Sequence, residues 1–115
     1  MFSKNNTQSE RNYSNLPKFD LEGKRPYIVG AKLISDHVIV FTLGIDGAQF
    51  YGLRVVENNG KMFISMPQSK GSDGKWYDLY KLFFDEKSEG AIICTVCEHY
   101  VQKGEAADYK THYEV

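Results

Sequence analysis

From Tyr27 onward the chain alternates short apolar runs with turn-forming dipeptides. Tyr27–Ser35 is a first run, with Tyr27, Val29, Ala31 and Leu33 at alternate positions that predict one shared strand face. His37–Leu43 is a second, rich in the β-branched and aromatic residues that suit a pleated surface (Val38, Ile39, Val40, Phe41, Thr42). Asp46-Gly47 then interrupts. A type I′ turn needs positive φ at both central positions, which Asp and Gly tolerate. Gln49–Glu57 reads as a third strand, and Asn58-Asn59-Gly60 as the next turn. Met62–Met66 is a fourth strand, closed by Pro67, which has no N–H to give a ladder. Gln68–Gly74 is a polar loop ending in Asp73-Gly74, and Lys75–Phe84 reads as a fifth strand. Turn signals between short apolar runs predict an antiparallel meander, and nothing resembles a βαβ crossover.

A helix is predicted next. Asp85 or Ser88 can cap its start, because their side chains accept from the free N–H groups of a first turn. Ile93, Val96, Cys97, Tyr100 and Val101 recur at helical spacing, and Gly104 stands where a stop is expected. The fold class read from this order is α+β: an antiparallel four- to five-stranded β-meander with a C-terminal α-helix packed on one face. Residues 1–23 read as a flexible polar N-terminal tail, rich in Asn, Gln and Ser, from which Leu16, Phe19 and Leu21 could dock onto the domain. Residues 24–104 form the domain, and 105–115 a C-terminal tail or short helix.

The predicted strands are apolar on both faces. The third offers Tyr51, Leu53 and Val55 at odd positions and Phe50 and Val56 at even ones. A sheet with one wet face alternates more cleanly. One helix covers one face, so the second must meet something else. Three covers are open: a partner subunit, the tail or C-terminal segment, or unstacked bases laid on an aromatic platform.

Composition narrows the classes. The chain has 115 residues, 42% hydrophobic and 25% charged, the size and balance of one ordinary globular domain. Small domains often gain stability by oligomerising. The formal net charge is −1. Dedicated duplex-binding proteins usually carry a basic excess, so any nucleic-acid surface here is a local patch. No stretch approaches the roughly 20 apolar residues of a membrane span, and Met1 to Lys18 lacks the apolar run of a secretory signal. A cytoplasmic location is expected, with no membrane partner.

The stretch from Leu53 to Phe83 carries an ordered set of short motifs. These are Arg54-Val55-Val56-Glu57-Asn58-Asn59-Gly60, Phe63-Ile64-Ser65-Met66-Pro67, Asp73-Gly74 and Asp78. This set resembles the stage V sporulation protein G (SpoVG) family of bacterial septation regulators. The likeness covers about residues 26–103, with Arg54, Pro67 and Asp78 in ungapped spacing. Departures from the family pattern are Lys81-Leu82 where it has His-Pro, Ser69 where its basic loop has Lys, and a longer N-terminal tail. The resemblance implies a dimeric sheet domain with a C-terminal helix, binding DNA or RNA without catalysis. It marks Arg54, Gly60, Pro67, Asp73, Gly74 and Asp78 as structural motif residues.

Several constellations carry candidate chemistry. Arg54 and Asp78 each interrupt an apolar strand. An unpaired charge in a sheet is costly, so the two are expected to bond each other or nearby backbone; a phosphate contact by Arg54 is the other reading. Lys70, Lys75 and Lys81 lie on or beside the fourth-to-fifth strand loop, where they can contact phosphates or simply guard a sheet edge. Cys94-Thr95-Val96-Cys97 is a lone C-x-x-C. Structural zinc needs four ligands, and His99 and His112 are poorly spaced to complete a set. A redox C-x-x-C usually opens a helix, whereas this one falls mid-helix, so buried cysteines are the expectation. No nucleophile motif, carboxylate pair or phosphate-binding glycine loop stands out, and neither an enzyme nor a cofactor is expected.

The leading expectation is a SpoVG-like regulator that binds DNA or RNA as a homodimer through Lys70, Lys75, Lys81 and Arg54. A protein-interaction module with the same fold is the alternative. A zinc or redox protein built on Cys94 and Cys97 is a third class.

Overall fold

A computed structural model describes residues 18–115; the expectations for residues 1–17, Leu16 included, lie outside it. Four consecutive strands form a meander: β1 (Tyr27–Ser35), β2 (Val38–Ile45), β3 (Ala48–Asn58) and β4 (Lys61–Ser65). A two-stranded arm follows, β5 (Gln68–Lys70) and β6 (Trp76–Asp78), then α1 (Glu86–His99) and a last strand β7 (Tyr113–Glu114). The main sheet has the order β4-β3-β2-β1-β7 and is antiparallel throughout. With one helix on one face, this is the α+β architecture read from the sequence.

Turn chemistry sets the register. Asp46 and Gly47 have φ of 46° and 82°, and Asn59 and Gly60 have 54° and 78°. Those positive values are what two-residue type I′ turns require. They bring Ile45 opposite Ala48 and Asn58 opposite Lys61. The register shifts at three places: in β1 between Val29 and Lys32 and again between Leu33 and Ser35, and in β3 opposite Phe41 and Leu43. Gly30 (φ 69°) and Gly52 (φ 77°) supply the left-handed residues at the first and last of these. The first shift corrects the expected alternation. Ala31 and Leu33 face the helix, while Val29, paired with Thr42, turns to the other side.

The core lies between one sheet face and α1. Ile28, Ile39, Phe41, Leu43, Leu53 and Val55 from the sheet meet Ile92 and Val96 from the helix. Ile92 and Val96 are 0% exposed. Fully burying a side chain of this kind contributes about 1.5–3 kcal/mol. The buried helical stripe is Ser88, Ile92, Thr95 and Val96. Relative to the predicted stripe it is rotated toward Ile92, and Ile93 and Cys97 lie at its flank, half-buried. Asp85 is the N-cap, its carboxylate accepting from the Ser88 backbone N–H at 2.7 Å. The Ser88 hydroxyl in turn accepts from the Leu21 N–H at 3.3 Å. Leu21 is buried, and Phe19 forms a bridge to Phe84. Residues 18–23, assigned to the tail from composition, thus pack against the domain.

Two further expectations are corrected. Lys75–Phe84 is not one strand: only Trp76–Asp78 is, and it pairs with β5 outside the main sheet. Helix α1 ends at His99 with Tyr100 as its cap, and Gly104 instead closes a later turn in which the Glu105 N–H donates to the Gln102 carbonyl. The chain then runs back along β1. Val101 exchanges backbone bonds with Ala31 and Leu33, the Gly30 N–H donates to Asp108, and β7 pairs with Tyr27 and Ile28. Residues 105–115 therefore close the outer edge of β1, a buried use of backbone that composition alone does not reveal.

Ile92→Ala is expected to lower unfolding free energy by about 2–5 kcal/mol in urea denaturation, the range for truncating a packed core residue. Asp85→Ala is expected to lower the urea midpoint at neutral pH. The Ser88 side chain and backbone N–H hold the Asp85 carboxyl below its ordinary value. A depressed carboxylate stabilises above its unfolded pKa and loses that contribution as pH falls through the folded one. The gap between wild type and Asp85→Ala should therefore close on acidification.

Candidate nucleic-acid interface

The arm is built by local chemistry. Pro67 ends β4, and its ring sits 3.2 Å from where a side chain at Gly52 would begin. The Leu79 N–H donates to the Pro67 carbonyl at 2.8 Å and closes the base of the arm. At the tip, Gly71 and Lys75 share a backbone bond of 2.8 Å, and Gly74 adopts φ 81°. The Asp73 carboxylate accepts from the Lys75 N–H at 2.9 Å and from the Tyr77 hydroxyl. The Tyr77 bond, then the Lys75 bond, hold the Asp73 pKa down, and Asp73 holds the Tyr77 phenol up. Every residue of β5 and β6 is exposed.

Cross-strand register sorts the arm into faces. Gln68 stands opposite Asp78 and Lys70 opposite Trp76, so these four side chains share one face, and Ser69 and Tyr77 share the other. The first face borders an open concavity of about 270 Å³, lined by Arg54, Ser65, Met66, Gln68 and Trp76. Arg54 and Ser65 are cross-strand partners on the sheet face turned away from α1. That face continues through Val40, Val38, Val56 and Phe63, and Phe63 is 42% exposed. At its far end the Tyr27 ring lies over Gly44 and stacks on His112 at 4.7 Å. Gln49 donates to the Tyr27 hydroxyl at 2.8 Å and accepts from Tyr51 at 2.6 Å.

The expected Arg54–Asp78 bond is not formed. Asp78 accepts from the Gln68 amide at 2.8 Å. Arg54 is exposed and has no ion-pair partner among the described residues. The premise of a buried charge fails because this face of β3 is open to water, and a solvated guanidinium needs no partner. The structure brings Arg54 and the Lys70-bearing face of the arm to one side of the molecule. Lys75 lies at the arm tip beside Trp76. Lys81 is exposed in the otherwise largely packed link to α1, beyond the arm, and does not line the concavity. The motif residues Gly60, Pro67, Asp73 and Gly74 serve turns. In the sequence Trp76 and Gln68 stand only as strand or loop positions, and Ser65 and Met66 as members of the Phe63–Pro67 motif. Only the register of the arm, which sets Trp76 across from Lys70, brings them to the site.

The cysteines depart from expectation. Cys94 is exposed and Cys97 half-buried, because the helix turns its packed stripe toward Ile92. The Cys94 thiol donates to Glu98 at 3.4 Å, and that carboxylate raises its pKa by hydrogen bonding and by charge. Burial, then Glu57, raises that of Cys97. The histidines are dispersed: His37 lies 3.8 Å from Glu57, His99 stacks on Tyr113, and His112 stacks on Tyr27. Among the described residues no group of three His, Cys, Asp or Glu is placed to hold a metal ion. No helix among them is long and apolar enough to cross a membrane.

No family model, curated protein or solved structure matches the chain.

In a Cys97→Ser background, Glu98→Gln should speed iodoacetamide alkylation of Cys94 near neutral pH. Removing the carboxylate lowers the thiol pKa and raises the thiolate fraction, which is the reactive form. An unchanged rate, followed by mass spectrometry, would mean that Glu98 does not act on the thiol.

Proposed function

We propose that the chain is a SpoVG-like, non-enzymatic cytoplasmic regulator that binds DNA or RNA as a homodimer through a local basic surface. The observation that supports this most is the exposed Arg54, without an ion-pair partner among the described residues, beside the arm face that carries Lys70. Positive groups on an open surface can exchange condensed counterions for direct phosphate contacts, and that exchange needs no overall basic charge. Lys75 at the arm tip and Lys81 beyond β6 are exposed and are further candidates for phosphate contact on this reading. Dimerisation has two available routes: β4 is a sheet edge with no neighbouring strand among the described residues, and the face around Phe63 is apolar and partly open. A dimer doubles the basic surface and raises the effective concentration for the second contact. The protein-interaction module is the second reading, supported by Trp76, Tyr77 and Leu79, each more than half exposed.

The test is fluorescence anisotropy on mixed DNA and RNA probes across a salt series, with the oligomeric state followed by light scattering. Binding should weaken linearly on a log–log plot. Arg54→Glu and Lys70→Glu should each flatten the slope by at least about 0.7–0.9, the contribution of one phosphate contact. A well-folded dimer that binds neither probe at low salt would favour the interaction module.

A further inference from the structure

We propose that the concavity between the sheet and the arm is a pocket for one unstacked nucleobase, so that the preferred ligand is single-stranded nucleic acid. This rests on the nucleic-acid reading above and adds to it a ligand class and a site. Trp76 is 63% exposed at the rim, on the same arm face as Lys70 and Gln68. An indole left in water at the edge of a concavity is a stacking surface without an occupant, and every base has a π-face to offer it.

The remaining lining is chemically suited to a base and its phosphate. Met66 supplies a polarizable apolar wall. The Gln68 amide nitrogen is engaged by Asp78, which leaves its carbonyl oxygen to accept from a base edge. The Ser65 hydroxyl can donate or accept. Arg54 offers a guanidinium with no ion-pair partner among the described residues. Asp78 shares the arm face and is negative, so it disfavours phosphate at the Gln68 end and leaves that role to Arg54 and Lys70. At about 270 Å³ the space falls just under the ~300–1,000 Å³ of clefts for drug-sized ligands. It suits one flat ring system. In a duplex both faces of each base are covered by neighbours, so only an unpaired base can reach the indole.

The sequence contains one tryptophan, so its emission reports this site alone. Oligo(dT) and oligo(rU) are titrated at low salt while Trp76 fluorescence is followed, and a mixed-sequence duplex serves as the comparison. The two single strands separate deoxyribose from ribose preference. Single strands should quench the emission and the duplex should not. In anisotropy, Trp76→Ala should weaken single-strand binding about 5- to 160-fold, the loss of one base–aromatic stack. Its salt slope should stay unchanged, and Trp76→Phe should restore most of the affinity. Single-strand binding with no quenching and no effect of Trp76→Ala overturns the pocket and leaves the nucleic-acid reading standing. Emission that changes with protein concentration alone overturns it in favour of a second copy seated on the arm. Binding of no probe overturns the pocket together with the reading beneath it.

Discussion

The contact of Ile92 and Val96 with Phe41, Leu43 and Leu53 is the interaction on which the rest of the molecule depends. It is the seam between one 14-residue helix and a five-stranded sheet. At about 1.5 Å per residue, such a helix spans roughly 21 Å and lies along one sheet face. The second face cannot be covered by the same element. The C-terminal segment covers only one end of it, where His112 stacks on Tyr27 and Val29 and Thr42 are buried, and otherwise runs along the edge of β1, where it satisfies backbone groups from Tyr27 to Leu33. What remains among the described residues is the part of that face around Phe63 and Arg54, the edge at β4, and an arm that leaves the sheet at Pro67. Every functional proposal above concerns surface left over by that arrangement.

Much of the fold was legible because its signals are local. Asp46-Gly47 and Asn59-Gly60 announce positive φ, and the strands on either side follow from those turns. Asp85 reads as a cap because a short acidic side chain can reach a free N–H three residues on. The errors came where partners decide the outcome. Lys75–Phe84 has the composition of a strand, but only Trp76–Asp78 join a ladder, and their partner is the polar segment Gln68–Lys70. The two residues of β7 are too few to show any periodicity; they become a strand because β1 offers a free edge. Gly104 has the conformational freedom of a helix stop, yet Tyr100 ends the helix first by turning to an extended conformation.

The candidate site was legible in part. Arg54 stood out as a charge within an apolar strand, and Lys70 as a basic loop residue. Their setting was misjudged, because strand alternation shows that two faces differ without showing which is wet. Once β3 is placed, Leu53 and Val55 point to the helix and Arg54 points to water. Trp76 was hidden among other apolar residues and gained meaning only when register set it across from Lys70. The formal net charge of −1 does not exclude a local basic surface, since Arg54 and Lys70 are both exposed on one side of the molecule.

The central claim is that the open face and the arm together form the binding surface. Amide chemical-shift mapping by NMR during titration with an unlabelled single-stranded oligonucleotide tests it most directly. The account predicts shifts concentrated on Arg54, Ser65, Gln68–Lys70 and Lys75–Asp78, with α1 unmoved. Shifts confined to α1 and the C-terminal segment would contradict it, as would a spectrum that does not change.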